Sequence, residues 1–393
     1  MPVTPTPGRM LGRRDALRRG GFLAAMAVAG PSILSACAGE ATSATTPKVG
    51  NKVGGSLNYL SWEGYDLTGS KLMQRWQKDK GVSLNPTYIS TSDDIQAKLK
   101  SGSSVGYDLI TYYQGYGPVY GPEQLDIIEP LDLSHIPNAS KLLPFFREGE
   151  ASEKFWNVGG KQWGLPMFWS ATTLDFRADL VDRPTSWMDL LEPEFKGKIG
   201  WVPDATAAFT LGGRILGFDA PNYSRDEFEE IADLLRRFRG QVKGFAPSFG
   251  DLTNQLVSGE VVASFAGWST VGLWAREKGA QVEDIIPSEG SFTSCDAWAV
   301  PKTTQNRDTA YAWIDTALSP GVQAQAAVAL GTAVTNAAAV ELLPRAHREL
   351  YPYDKLDEFF ANAPVVGFPE AGDTDVVQHQ EWLTEWQNIQ GGN

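Results

Sequence analysis

The sequence contains very little cysteine and histidine. Two cysteines, Cys37 and Cys295, and three histidines are present in 393 residues. No HExxH motif occurs. A catalytic triad needs a histidine that reaches a Ser or Cys nucleophile, and a zinc protease needs the paired histidines of its motif. We therefore expect a protein that is not an enzyme, and a secreted hydrolase is the weakest functional alternative.

Nucleotide motifs and excess positive charge are also missing. No GxGxxG or GxxxxGK[ST] follows a predicted strand, so nothing predicts a nucleotide cofactor. The chain has 34 Lys and Arg against 47 Asp and Glu, a formal net charge of −13. Because nucleic-acid binding needs a basic surface, we expect no nucleic-acid partner. We expect neither a cofactor nor a bound metal, and the acidic balance suits cationic ligands.

The leader has no apolar run long enough to cross a membrane permanently. Residues 21–29 are apolar but too short, and they follow a basic region that contains Arg13 and Arg14. This arrangement resembles a twin-arginine export signal. Leu34-Ser35-Ala36-Cys37 resembles a bacterial lipobox, in which the chain is cut before the cysteine and the cysteine is acylated.

The leader predicts how the chain is organised and where it acts. We expect residues 1–36 to be an export signal with a lipobox, and Cys37 to be the lipidation site. Residues 37–54 are rich in Gly, Ala, Ser and Thr and predict a flexible tether. The predicted location is extracytoplasmic, at a membrane surface through the lipid anchor. With Cys37 acylated, Cys295 has no cysteine to pair with.

After the tether, the pattern alternates between strands and helices. This order predicts a doubly wound, mostly parallel α/β sheet. The predicted elements are a strand around Leu57 and Tyr59, a helix over 68–80, a strand over 82–89, a helix over 95–100 and a strand over 107–111.

The length of the chain allows two domains, each with its own core. An alternating strand over 170–176 predicts a first crossing into a second lobe, and the segment 289–301 predicts the return. The second lobe is predicted to contain a strand over 199–202, helices over 225–239 and 251–258, and a strand over 261–266. We expect the N-terminal lobe to comprise 55–169 and 297–336, and the C-terminal lobe to comprise 170–296 and 337–393.

Aromatic and acidic side chains follow several of the predicted strands. Ligands bind beyond the carboxyl ends of the strands in open α/β sheets. The loop after the first strand contains Trp62, Glu63 and Tyr65, and the loop after the third strand contains Tyr113 and Tyr116. Asp204 follows the strand over 199–202, where it either caps the next helix or faces the cleft.

The order of the motifs resembles the periplasmic spermidine and putrescine binding proteins of ABC importers. The resemblance covers roughly residues 55–360. It is carried by Trp62-Glu63-Gly64-Tyr65, Gly106-Tyr107-Asp108-Leu109, Thr185-Ser186-Trp187, Pro193-Glu194-Phe195-Lys196-Gly197, Pro287-Ser288-Glu289-Gly290 and Thr335-Asn336. It implies a type II periplasmic-binding-protein fold, in which crossing hinge strands join two α/β lobes that close on a ligand.

The resemblance also implies a function and a ligand site. The implied function is that of a solute-binding lipoprotein, a monomer that delivers putrescine, spermidine or a related small amine to an ABC permease. Aromatic faces would hold the chain of the amine and carboxylates its ammonium groups. The implied ligand-binding residues are Trp62, Glu63, Tyr65, Tyr113, Tyr116, Asp204, Trp268, Asp296 and Thr332.

Departures from the family pattern leave the ligand open. Ala207 stands where the family has a second acid, and Ser294 stands where it has an aromatic residue. Three acids are fewer than a long polyamine would use. A receptor for an amino acid derivative therefore stays an alternative, as does a ferric-ion receptor that uses the Tyr112 and Tyr113 phenolates.

Overall fold

A computed structural model describes residues 50, 52–89, 95, 98, 106–123, 125–370 and 372–392. All of them lie in one unit that spans Pro47–Asn393. The leader, Cys37, most of the tether and most of the predicted helix over 95–100 lie outside the described residues. Among the helices within these ranges, none is both long enough and apolar enough to span a bilayer.

The strands form one large mixed sheet and one small hairpin. The strands of the large sheet run in the order β2-β1-β3-β12-β6-β9-β7-β8, and β10, β11 and β13 also pair with β6. Strands β4 and β5 pair with each other. The strands are Gly55–Trp62 (β1), Val82–Ile89 (β2), Leu109–Tyr112 (β3), Asn157–Val158 (β4), Lys161–Gln162 (β5), Leu165–Arg177 (β6), Ile199–Trp201 (β7), Val242–Phe245 (β8), Ala263–Ser264 (β9), Gly267–Trp268 (β10), Val282–Ile285 (β11), Thr293–Ala299 (β12) and Ala333–Val334 (β13).

Helices cover both ends of this sheet. The α-helices are Lys71–Lys80, Tyr116–Pro118, Pro144–Arg147, Glu150–Phe155, Ala205–Leu216, Arg225–Arg239, Phe249–Ser258, Ser269–Glu277, Arg307–Ala317, Pro320–Leu330, Ala337–Val340, Arg345–Arg348, Leu356–Asn362 and His379–Gly391. Shorter helical turns are Val119–Glu123, Leu133–His135, Pro137–Lys141, Trp187–Leu191 and Pro193–Phe195.

Parallel strands at each end of the sheet define the two lobes. In the first lobe, β1 pairs in parallel with both β2 and β3. In the second lobe, β7 pairs in parallel with both β8 and β9. Parallel strands require crossover connections, and the intervening helices supply them. The predicted fold class, a two-lobed α/β architecture with mostly parallel sheets, is confirmed.

Two long strands connect the lobes. β6 runs for 13 residues, and 12 of them are buried. Its first half pairs antiparallel with β12, and its second half pairs with β10 and β11. The predicted crossing strand over 170–176 is therefore present but starts five residues earlier, at Leu165, because the apolar run before Ser170 continues the same buried strand.

Local sequence signals fix several helix boundaries. The Ser70 side chain accepts a hydrogen bond from the Met73 amide and begins the first helix, and Gly81, with φ of 63°, ends it. A reciprocal capping box between Ser224 and Glu227 starts Arg225–Arg239, whose bounds match the prediction. Of the predicted strand over 261–266, only β9 is a strand, and pairing resumes at β10 after Ala266, whose φ of 51° interrupts the extended chain.

The terminal segment packs against both lobes. Ala339 and Leu343 are buried with the core of the first lobe. Val377 and Trp382 are buried with the core of the second lobe. We propose that the chain returns to the second lobe near Ala363, after the boundary of 336 that the sequence predicted.

Candidate functional site

Asp296 is a buried carboxyl on the crossing strand β12. Asp296 is 9% exposed and pairs with Phe168 of β6, immediately before a shift in the register between the two strands. Burial raises its pKa to about 7, although the hydrogen bond that Tyr65 donates favours the charged form. Among the ion pairs of the described residues, none joins Asp296 to a basic side chain. A carboxylate held in this way favours an external cation.

The loop after β1 places Tyr65 beside this carboxyl. The Tyr65 amide donates to the Trp62 carbonyl at 3.2 Å, which turns the chain back at the end of the strand. Gly64 has a φ of 89°, and a Cβ there would lie 2.8 Å from Leu330 Cδ2, so the turn needs glycine. The Tyr65 ring packs on Phe168 at 6.3 Å. Burial and the charge of Asp296 raise the pKa of Tyr65, so the phenol stays a donor.

Two other residues of this loop differ in exposure. Trp62 is half-buried, and its Nε1 has no hydrogen-bond partner among the described residues. Glu63 is exposed. Trp62 therefore has an indole donor that is unused within the described residues, whereas the Glu63 side chain is open to solvent.

The loop after β3 contributes Tyr113 and Tyr116, which are both buried. The Tyr113 hydroxyl donates to the Val366 carbonyl at 3.0 Å. Burial, and to a smaller extent the negative charges of Asp204 and Asp296, raise the pKa of Tyr113. Tyr116 stacks on Tyr120 with ring centroids 4.9 Å apart.

Asp204 begins the helix Ala205–Leu216. Its carboxylate accepts from the Ala207 amide at 2.7 Å, so it is the N-cap, one of the two roles that the sequence allowed. Its residue is half-buried, and burial raises its pKa against the lowering effect of the amide hydrogen bonds. The charge of Asp204 also contributes to the raised pKa of Tyr113 in the first-lobe loop.

Trp268 and Thr332 lie along one edge of β6. Trp268 pairs with Thr172, and its Nε1 donates to Ser170 Oγ at 2.5 Å. Thr332 precedes β13, is 1% exposed and has an Oγ1 without a partner among the described residues. Its carbonyl accepts from His347 Nε2 at 2.8 Å.

The predicted residues therefore fall into three groups. Tyr65, Tyr113, Asp204 and Asp296 are linked by a hydrogen bond or by mutual charge effects. Trp268 and Thr332 approach the same crossing strand from its other edge. Trp62, Glu63, Tyr65 and the turn between them follow one another at the end of β1. Tyr116 and Tyr113 both contact Phe368, whose ring centroid lies 4.4 Å from that of Tyr116.

Several residues around this site were not predicted. Phe168 supports Tyr65, Ser170 holds the Trp268 indole, and Phe368 packs on Tyr113 at 5.8 Å. Gln114 is fully buried, and its side chain bonds the Val366 carbonyl at 2.9 Å and the Cys295 amide at 2.9 Å. Ser170 belongs to the predicted alternating strand over 170–176 and had a periodicity signal, whereas Phe168 lies in the apolar run before that strand. Nothing near Phe368 distinguishes it.

The side chains that a nucleophile or a ferric-ion site would use, the Cys295 thiol and the Tyr112 and Tyr113 phenols, are enclosed by other protein groups. The Cys295 thiol is buried, and burial and the charge of Asp296 raise its pKa, which makes it a poor nucleophile. The Tyr112 hydroxyl lies against Gly117 and Gly164, whereas that of Tyr113 donates to Val366. Within the described ranges, no group of three or more His, Cys, Asp or Glu side chains is arranged to hold a metal ion.

Comparison with known proteins gives the family. A profile described as bacterial extracellular solute-binding protein matches residues 71–348. The spermidine/putrescine-binding periplasmic protein of Escherichia coli is 28% identical over 293 residues, 73% of this chain and 80% of the relative. The putrescine-binding periplasmic protein PotF of the same organism is 25% identical over 324 residues, 76% of this chain and 83% of the relative.

The fold has a close counterpart among solved structures. The spermidine/putrescine ABC transporter substrate-binding protein PotD of Streptococcus pneumoniae superposes with a TM-score of 0.67 at 22% identity, over 85% of this chain and 97% of that chain. The predicted resemblance is confirmed, and the family description agrees with the predicted extracytoplasmic location. This chain belongs to the bacterial extracellular solute-binding protein family.

Proposed function

We propose that this protein binds a polyamine such as putrescine or spermidine, or a related small amine, between its lobes and delivers it to the permease of an ABC importer. The observation that carries the proposal is the Asp296 carboxyl, which is buried, bonded by Tyr65 and without a basic partner among the described residues. The two Escherichia coli relatives, which are named for spermidine and putrescine binding, support the same ligand class.

The chemistry of an alkyl diamine suits these groups. Each ammonium loses water on entering a closed cleft and needs a carboxylate in exchange, because an unpaired buried charge costs several kcal/mol. Asp296 and Asp204 are two such carboxylates, and both influence Tyr113. The Tyr113 ring and the Trp62 indole offer faces for the methylene chain and for the cations.

A small solute with a single amino group, such as an amino acid derivative, is the second candidate. Glu63 is exposed, and Ala207 stands where the family has a second acid. The remaining candidate acids are Asp204 and Asp296, whose charges both affect Tyr113, and this small number favours a solute with few ammonium groups. A long polyamine would bring more ammonium groups than these two carboxylates can pair.

The remaining parts of the proposal rest on the sequence. We propose that residues 1–36 are removed on export, that acylated Cys37 anchors the protein to a membrane surface, and that the mature protein works as a monomer. We also propose that it carries its solute without transforming it.

The test is ligand-induced thermal stabilisation with putrescine, spermidine, an amino acid panel and a ferric salt. A ligand at 100 times its dissociation constant adds about 2.7 kcal/mol to the stability of the native state. We expect an amine to give this shift, and we expect Asp296→Ala and Trp62→Ala to abolish it. Asp357→Asn, which removes an exposed acid from the helix Leu356–Asn362, is the charge-matched control. A shift with the ferric salt and with no amine would contradict the proposal.

A further inference from the structure

The segment around Phe368 links the two halves of the candidate site. The carbonyl of Val366 accepts hydrogen bonds from the Tyr113 hydroxyl at 3.0 Å and from Gln114 Nε2 at 2.9 Å. These bonds hold the terminal segment against the first-lobe loop. Phe368 follows two residues later and is half-buried.

The ring of Phe368 contacts both lobes. It meets the edge of Tyr116 with centroids 4.4 Å apart and lies 5.8 Å from Tyr113. The centroid of the His379 ring, from the C-terminal helix, lies 4.2 Å from that of Phe368. His379 Nε2 in turn lies 3.1 Å from Thr206 Oγ1, two residues after the Asp204 cap.

Tyr113, which packs beside Phe368, can present its ring but not its hydroxyl to a ligand. Its phenol lies in the field of both Asp204 and Asp296, and its hydroxyl is already donated to Val366. What Tyr113 presents is therefore the face of a ring. Phe368, which packs beside it, has no polar atom on its side chain. The surface that these two rings present is consequently aromatic, and it offers no new hydrogen bond to a ligand.

We propose that Phe368 is a specificity-determining residue of the amine site. Its ring forms an apolar wall against the methylene chain that joins two ammonium groups. The inference rests on the proposed function, and it narrows the ligand class to amines whose central part is an uninterrupted hydrocarbon chain. A polar atom in the centre of the chain would lose its water against Phe368 without gaining a partner, and an unpaired buried polar group is unfavourable.

The experiment is isothermal titration of the full chain and its variants with putrescine, followed by a matched pair of ligands. The pair is 1,5-diaminopentane and diethylenetriamine, which have the same length but differ in the central atom, CH₂ or NH. We expect Phe368→Ala to weaken putrescine binding about tenfold, since removal of a buried aromatic face loses at least one decade of affinity. We expect Phe368→Tyr, which keeps the ring face, to stay within about threefold of the wild type.

The preference between the two ligands distinguishes a Phe368 ring that contacts the ligand from one that only packs against other side chains. We expect the wild type to prefer 1,5-diaminopentane over diethylenetriamine and Phe368→Ala to lose most of that preference. Phe145→Ala is the control, because Phe145 is also half-buried and stacks on a phenylalanine, Phe360, at 3.8 Å. It should lower the melting temperature without changing either affinity or preference.

The remaining outcomes would overturn the inference, its specificity claim or the proposed function. If the wild type binds amines and Phe368→Ala binds them equally well, or if Phe145→Ala weakens binding as much, the inference is overturned and the proposed function stands. If Phe368→Ala binds more weakly but keeps the preference, the assignment of specificity is overturned. If the wild type binds no amine, the proposed function fails, and the inference fails with it.

Discussion

Asp296 is the residue at which stability and ligand binding conflict most directly. Its carboxyl is buried on β12, and Tyr65 gives it one donor in place of the several that water provides. The pKa of about 7 means that the folded protein disfavours the charged form that an ammonium needs. A bound cation would relieve this conflict, and two predictions follow from it.

The first prediction concerns the stability of the free protein. The pKa of Asp296 rises from 3.8 to about 7 on folding, so the unfolded chain holds the proton less tightly. The resulting penalty is absent below pH 3.8, grows as the pH rises and becomes constant above about 7. We expect Asp296→Asn to be about 4 kcal/mol more stable than the wild type at pH 8 and about 0.5 kcal/mol more stable at pH 4. Urea denaturation at pH 8 and at pH 4 measures this difference in the free energy of unfolding. An equal gain in stability at the two pH values would contradict the prediction.

The second prediction concerns the pH dependence of affinity. Below about pH 7 the free protein holds a proton on Asp296, and an ammonium must displace it. We expect the amine affinity to fall by about tenfold per pH unit between 6 and 5 and to be nearly constant above 8. Titration calorimetry in buffers of different ionisation enthalpy also measures the released proton. A flat affinity from pH 5 to 8 would show that Asp296 does not pair with the ligand.

Single residues were predicted unevenly from the sequence. The family resemblance indicated Asp296, and the aromatic loop after the first strand indicated Tyr65, but their mutual hydrogen bond depends on how β1 and β12 meet. Phe368 gave no signal because its role comes from a segment that returns to a loop more than 250 residues earlier.

At the level of elements, the N-cap of the helix Ala205–Leu216 combines a structural and an electrostatic feature. Asp204 satisfies the Ala207 amide, and its charge is also favoured by the positive end of the helix dipole. A cap needs the side-chain oxygen, whereas pairing with an ammonium needs the negative charge. Substitution can separate the two.

The third prediction uses this separation. We expect Asp204→Asn to keep the stability of the free protein within about 0.5 kcal/mol, because Asn caps as well as Asp, and to weaken amine binding. Asp204→Ala should lose both, with a stability loss of about 1 kcal/mol. Ser248→Ala, which removes the cap of Phe249–Ser258, should cost similar stability without any loss of affinity. Equal affinity for Asp204→Asn and the wild type would remove Asp204 from the ligand site.

Elements with strong local signals were the ones predicted accurately. The capping box and the amphipathic pattern of Arg225–Arg239 specified both ends of that helix. The interruption between β9 and β10 was missed, because a non-glycine residue with positive φ, here Ala266, has no signature in the sequence. The crossing strand β6 was predicted too short, since its first half is apolar on both faces and does not alternate.

For the whole molecule, the two lobes are joined by β6 and β12, and the candidate site lies where these strands pass between them. Asp296 belongs to a crossing strand, whereas Asp204 belongs to the second lobe. A ligand that pairs with both acids therefore favours the arrangement of the lobes that brings the acids together.

The fourth prediction follows from this arrangement. We expect saturating putrescine to lower the radius of gyration of the wild-type protein in small-angle X-ray scattering, and to leave that of Asp296→Ala unchanged. Asp357→Asn should contract as the wild type does. A contraction that persists in Asp296→Ala would mean that the lobes close without this acid.

The two-lobed architecture was accessible from the sequence because the alternation of strands and helices is a local pattern repeated on both sides of a crossing. The order of the motifs then gave the family. We propose that the terminal segment changes lobe after the predicted boundary of 336; the sequence alone does not fix this place, since Leu343 and Trp382 are both large apolar residues and differ in the core that they join.

The burial of Cys295 has a practical consequence. Among the described residues it is the single cysteine, and it is completely enclosed. A cysteine introduced on the surface of each lobe would thus be the thiol that a maleimide dye reaches, once Cys37 is replaced. A donor and an acceptor fluorophore attached at those positions would turn the motion of the lobes into a change in energy transfer, and the protein into an optical sensor for its own solute.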